Sequence, residues 1–137
     1  MALHHASCVE FNGKGILILG ASGSGKSDLA LRLIDAGGTL ISDDYVDVIN
    51  KNDTLMAKTA PNIGGMIEVR GVGLIKIDYL QSFQLRLALE LVEPKEIVRL
   101  PEGCYFKQGE LEIPLYKFDA FCASAIAKIK LIVNKLD

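Results

Sequence analysis

The chain has 137 residues, half of them hydrophobic, with a formal net charge of −2 and a mean hydropathy of +0.28. That length supports one domain with a single good core, and the near-neutral charge offers no basic field for nucleic acid. No apolar run approaches the roughly 18 residues that span a bilayer. The first twenty residues carry His4, His5, Glu10 and Lys14, which argues against a signal peptide.

Ala6 to Phe11 reads as a first strand. Asn12-Gly13 is a hairpin turn signal, and Gly15 to Leu19 is a short apolar run expected to be a buried strand. The next eight residues, Gly20-Ala21-Ser22-Gly23-Ser24-Gly25-Lys26-Ser27, fit the P-loop pattern G-x-x-x-x-G-K-[ST]. A helix follows through Leu29, Leu31, Leu33 and Ile34 and is capped by Gly37-Gly38. Thr39 to Ser42 is a strand ending at Asp43-Asp44. Tyr45 to Asn50 and Thr54 to Thr59 pair as a hairpin across Lys51-Asn52-Asp53.

Pro61 to Gly65 is a loop, and Met66 to Ile77 is apolar but broken by Glu68, Arg70, Gly71 and Gly73. Leu85 to Leu91 partly alternates, which predicts a half-exposed strand. Lys95 to Gln108 has no steady period and is expected to be mostly loop; Glu110 to Leu115 is another strand. Phe121 to Leu136 predicts a closing amphipathic helix whose apolar stripe is Phe121, Ala125, Ile129, Ile132 and Leu136. Cys8, Cys104 and Cys122 are odd in number and scattered, as expected of small core residues in a reducing, cytoplasmic compartment. The high apolar content hints at surface buried between subunits.

Strand, glycine loop and helix in that order make the pattern a mechanism. Glycines let the backbone approach a ligand, and successive N–H groups form an anion nest at the positive end of a helix. Lys26 reaches the outer phosphates of a nucleotide, and the Ser27 hydroxyl is a ligand for Mg²⁺. Asp43 and Asp44 close a strand expected beside this loop. Neighbouring residues of a strand face opposite ways, so one carboxylate is expected to face an acceptor while the other holds a metal water or caps a turn. Glu68 and Arg70 alternate onto one face; the first suits Mg²⁺ and the second suits transferring phosphate charge. His4 and His5 read as structural on residue type alone, and Arg99 as a solvated loop cation.

Together these residues resemble the catalytic domain of HPr kinase/phosphorylase, the bacterial enzyme that phosphorylates a serine of the phosphocarrier protein HPr. The resemblance rests on His5, the loop GASGSGKS, Ser42-Asp43-Asp44, and Ile67-Glu68-Val69-Arg70-Gly71-Val72-Gly73, which is similar to the family signature E-[IV]-R-G-x-G. It runs from about His5 through Arg99. It implies an α/β P-loop domain with a mixed sheet, like phosphoenolpyruvate carboxykinase, filling residues 1–137 as the short, catalytic-domain-only form. It implies ATP on Gly20 to Ser27, Mg²⁺ on Ser27 and Glu68, and Asp44 as the proton acceptor, beside Asp43 and Arg70. His5 becomes a catalytic-site histidine and Arg99 a loop residue that meets the partner protein HPr. A homo-hexamer is implied as well. The family's P-x-x-P-G-R-like stretch, tied to the reverse reaction, has no counterpart in Ile113-Pro114-Leu115-Tyr116-Lys117-Phe118. The residues by themselves leave two other readings open: a small-molecule P-loop kinase, and a nucleotide-binding regulator without catalysis.

Overall fold

The computed structural model describes residues 2–99 and 103–136. The strands are β1 Leu3–His4, β2 Ser7–Phe11, β3 Lys14–Leu19, β4 Thr39–Ser42, β5 Val46–Lys51 and β6 Thr54–Thr59. They continue as β7 Met66–Val69, β8 Gly73–Lys76, β9 Ser82–Leu91, β10 Cys104–Gln108 and β11 Leu111–Phe118. Two helices, α1 Lys26–Asp35 and α2 Ala125–Asn134, complete the fold with a short 3-10 turn at Pro94–Glu96. The architecture is α/β with a mixed sheet, as expected.

The sheet runs β1-β5-β6-β9-β3-β2-β4. Strand β9 is its spine. One edge of β9 pairs in parallel with β3. Its other edge is shared: β6 takes the first half, antiparallel, and β11 takes the second half, parallel. Strands β7 and β8 form a separate two-stranded ribbon.

Apolar side chains fill both faces of the sheet. Leu29, Ala30 and Leu33 of α1 and Ala125, Ile129 and Val133 of α2 bury themselves against Val9, Ile16, Ile18, Leu87 and Leu89. On the other face Cys8, Leu17, Ile41, Val48, Leu85 and Ala88 pack under the curled β5–β6 and β11. Burial raises the Cys8 thiol far above its ordinary range, so it behaves as a small hydrophobe. Among the described residues no helix is long and apolar enough to cross a membrane.

Several expectations need correction. β9 begins at Ser82 and is not half exposed: Ala88, on the face expected to be open, is buried along with Leu85, Leu87 and Leu89. The register slips between Gly15–Leu85 and Ile16–Leu87, leaving Arg86 as the extra residue. That bulge turns the chain so that Leu85 and Leu87 join opposite cores. The stretch expected to be loop contains β10, an edge strand paired with β11; its exposed side chains carry no hydrophobic period. Residues 100–102 of that stretch lie outside the described part. The closing helix begins at Ala125, not at Phe121. The Asp119 carboxylate accepts the Phe121 N–H (3.0 Å), a local turn that competes with helix, and Phe121 is 68% exposed. β4 does end beside the glycine loop as expected, with Asp43 on the Ser27 hydroxyl, although β2 lies between β4 and β3.

Candidate functional site

β3, β9, β11 and β4 all point the same way, since β4 and β3 each pair antiparallel with β2. Their carboxyl ends therefore share one rim, the edge of an α/β sheet where ligands bind. The glycine loop leaves β3 at that rim and runs into α1. Gly25 occupies the left-handed region (φ +100°) immediately before the helix, and a Cβ there would lie 2.8 Å from Phe121 Cζ. The positive φ is what favours glycine, and a side chain there would also push the exposed Phe121 ring aside. A turn bond from Ser24 N to Ala21 O (3.0 Å) sets the loop's curve. The Ser24 hydroxyl is buried beneath it with no hydrogen-bond partner among the described residues. Lys26 is buried, and its ammonium donates to the carbonyls of Gly20 and Ala21 at 3.0 Å each. Desolvation lowers its pKa below the usual lysine range, partly opposed by the negative charges of Asp44 and Asp43.

The acidic pair divides in two. Asp43 is buried, at 4% exposure, and its carboxylate is fully engaged. Oδ1 accepts the hydroxyls of Ser7 (2.7 Å) and Ser27 (2.8 Å), and Oδ2 accepts the Glu68 N–H (3.3 Å). Asp44 is exposed. The chain reverses there through a three-residue turn: Tyr45 N–H donates to Asp43 O (2.8 Å) across Asp44, whose φ is +69°. A positive-φ γ-turn is rare and strained, and Asp is one of the few residues that tolerate it. Its carboxylate lies 3.1 Å from His5 Nε2, and the His5 ring sits 5.2 Å from that of Tyr45.

A cavity of about 480 Å³ unites these groups. His5, Gly23, Gly25, Lys26, Ser27, Asp44, Glu68 and Arg70 all line it. Ser22 of the loop lines it as well, whereas Gly20, Ala21 and Ser24 support the loop from behind. Arg99 is not brought there. It lines a second, larger cavity beside α2, with Ile97, Val98 and Leu131. His4 is tied elsewhere, to Gln108 Oε1 (2.9 Å). Two cavity residues had no signal in the sequence. Ser7 is one of many strand serines until Asp43 meets it, and Phe121 reads as part of a helical stripe.

A family model described as the HPr serine kinase C-terminal domain matches residues 1–96. The chain belongs to the HPr serine kinase C-terminal domain family. It is 45% identical over 94 residues to an HPr kinase/phosphorylase of Clostridium botulinum (strain Eklund 17B / Type B), covering 69% of this chain and 30% of that protein. It is 37% identical over 111 residues to the HPr kinase/phosphorylase of Chlorobaculum tepidum, covering 80% of this chain and 31% of that protein. The chain thus spans about a third of the length of these curated relatives. The solved HPr(Ser) kinase/phosphatase of Coxiella burnetii superposes with a TM-score of 0.80 at 23% identity, over 98% of this chain and 90% of that one. That likeness fixes the fold of this family member. The matched region carries every residue that lines the loop cavity except Phe121.

Proposed function

We propose that this chain is an ATP- and Mg²⁺-dependent protein serine kinase whose substrate is HPr, acting as one catalytic domain over residues 1–137. The names of its relatives supply the substrate. The observation that carries the reading is the exposed Asp44 carboxylate, aimed into the same cavity as the glycine loop and Lys26. The loop amides and Lys26 would hold the phosphates. Gly23, Gly25 and Lys26 line one cavity, and a glycine loop entering a helix beside a buried ammonium is a donor set that fits such an anion.

The donor set also fits Mg²⁺. Among the described residues no group of three or more His, Cys, Asp and Glu stands ready to cage a metal. Mg²⁺ needs no such cage, since it keeps several waters and takes few protein oxygens plus substrate phosphates. Ser27 would hold it, with Glu68 as a further oxygen donor. When bound, the ion neutralises charge on the transferring phosphoryl group. Asp43 positions Ser27: its carboxylate accepts the hydroxyl hydrogen bond, so the Ser27 oxygen keeps its lone pairs for an ion.

In the transfer, the serine oxygen of HPr forms a bond to the γ-phosphorus as the bond to the β–γ bridging oxygen breaks. Asp44 takes the hydroxyl proton, and His5 orients that carboxylate. Arg70 stabilises the charge that spreads over the phosphoryl oxygens. Arg99, on the second cavity, is proposed to meet HPr away from the chemistry. A cytoplasmic location and a homo-oligomer, hexameric by family resemblance, complete the proposal. The test is incubation with labelled ATP, Mg²⁺ and purified HPr, then mapping of the modified residue. Label on one HPr serine, lost in Asp44→Asn, is expected. Label appearing only on small hydroxyl acceptors would replace the reading with a metabolite kinase.

A further inference from the structure

We infer that the Phe121 ring is the stacking face for the base of the bound nucleotide, an assignment that rests on the nucleotide reading above. Phe121 is 68% exposed, and unlike the equally exposed Val72 and Leu131 it lines the cavity of Lys26 and Ser27 and borders Gly25 of the phosphate loop. Its backbone is pinned. Asp119 accepts the Phe121 N–H, Arg32 of α1 donates to the Ala120 carbonyl, and the flanking Ala120 and Ala125 are buried in the core. The ring is therefore presented from a fixed base.

Strand order decides which end of a nucleotide meets it. Across the rim the sequence is β11, β9, β3, β2, β4. Asp44 leaves β4 on one side of the loop, and Phe121 leaves β11 on the other. A triphosphate whose outermost phosphorus faces Asp44 must run its ribose and base away from that carboxylate, toward β11. The large apolar side chains that line the cavity are Phe121, Leu31 and Val69. The Arg32 guanidinium is tied elsewhere: Nε donates to Asp28 Oδ2 at 3.0 Å and Nη2 donates to Ala120 O. Apolar side chains hold a base by its face and do not read its edge, so discrimination between adenine and guanine should be slight.

The chain contains no tryptophan, so Phe121→Trp places a single reporter at the proposed contact. ATP and inorganic tripolyphosphate are titrated against wild type, Phe121→Ala and Phe121→Trp. Stacking predicts that Phe121→Ala weakens ATP roughly ten- to hundred-fold and leaves tripolyphosphate unchanged. It also predicts that Phe121→Trp binds ATP at least as well as wild type, with its emission quenched by ATP and GTP but not by tripolyphosphate. Equal loss of both ligands in Phe121→Ala would mean that the ring only supports Gly25, and the inference fails. Wild type holding tripolyphosphate as tightly as ATP would also overturn it while sparing the phosphate loop. Wild type holding neither ligand would overturn the nucleotide reading itself, and this inference with it.

Discussion

The floor and the side wall of the cavity are built differently. The floor is β3, the glycine loop and α1, resting on the central strands; Ile16, Leu17, Ile18, Leu29 and Leu89 are fully buried beneath it. The wall that brings Glu68 and Arg70 is the β7–β8 ribbon, a sheet of its own. Val72 and Leu74 of that ribbon are 69% and 63% exposed. Its anchors to the floor include buried Ile67, which joins the helix-side core, and the bond from the Glu68 amide to Asp43. The groups proposed to grip phosphate rest on the central strands, whereas those proposed to tune metal and charge sit on a separate ribbon that meets the core through Ile67, Val69, Ile75 and Ile77. Local opening is therefore expected in the ribbon before the floor.

Four substitutions and a titration would break or sharpen that contrast. The largest effect is expected from Asp44→Asn, which removes the proposed base but keeps a residue that accepts positive φ. Phosphate incorporation into HPr should fall about 10²- to 10⁴-fold with the melting temperature unmoved. Leu89→Ala, beneath the floor, should lower unfolding free energy by about 2–5 kcal/mol in denaturant titrations. Asp43→Ala strips one acceptor from two hydroxyls and an amide, which costs about 1–3 kcal/mol. It should also speed amide exchange at Glu68, linking the two regions; unchanged exchange there would mean that the ribbon is held by its apolar packing and not by Asp43.

Ile67→Val should cost about 0.5–1.5 kcal/mol, and hydrogen exchange should rise in β7–β8 but not in β3 or α1. The smallest effect is a pH trend. Only protonated Lys26 attracts phosphate, and desolvation lowers its pKa, so protonation is lost earlier than for a free lysine as pH rises. Calorimetric ATP affinity should therefore decline several-fold between neutral pH and about pH 10, ahead of the ordinary lysine range.

The sequence made local features legible and left the crossings obscure. The opening hairpin at Asn12-Gly13, β3, α1, β4 and the β5–β6 hairpin were all readable, because turn chemistry and hydrophobic period act over a few residues. The Asp pair and Glu68-Val69-Arg70 were readable too, and the family resemblance gave them a common purpose. What escaped depends on distant partners. β9 looked half exposed because its bulge at Arg86 answers to Gly15, some seventy positions earlier. β10 has no pattern of its own and exists as the partner of β11. Phe121 fits a helical period equally well whether or not Asp119 diverts the chain. The family resemblance ranked Asp44 above Asp43 as the acceptor, but the Ser7 hydroxyl that holds Asp43 has no motif and escaped.

The reversal at Asp44 separates shape from charge at a single position. Asparagine keeps the bend and discards the negative charge; glutamate keeps the charge but adds a methylene and is far less at ease in that backbone region. The two replacements therefore report on different properties of one side chain. It follows that this corner can be silenced without being unfolded, and that a longer acid cannot easily stand in for the native one.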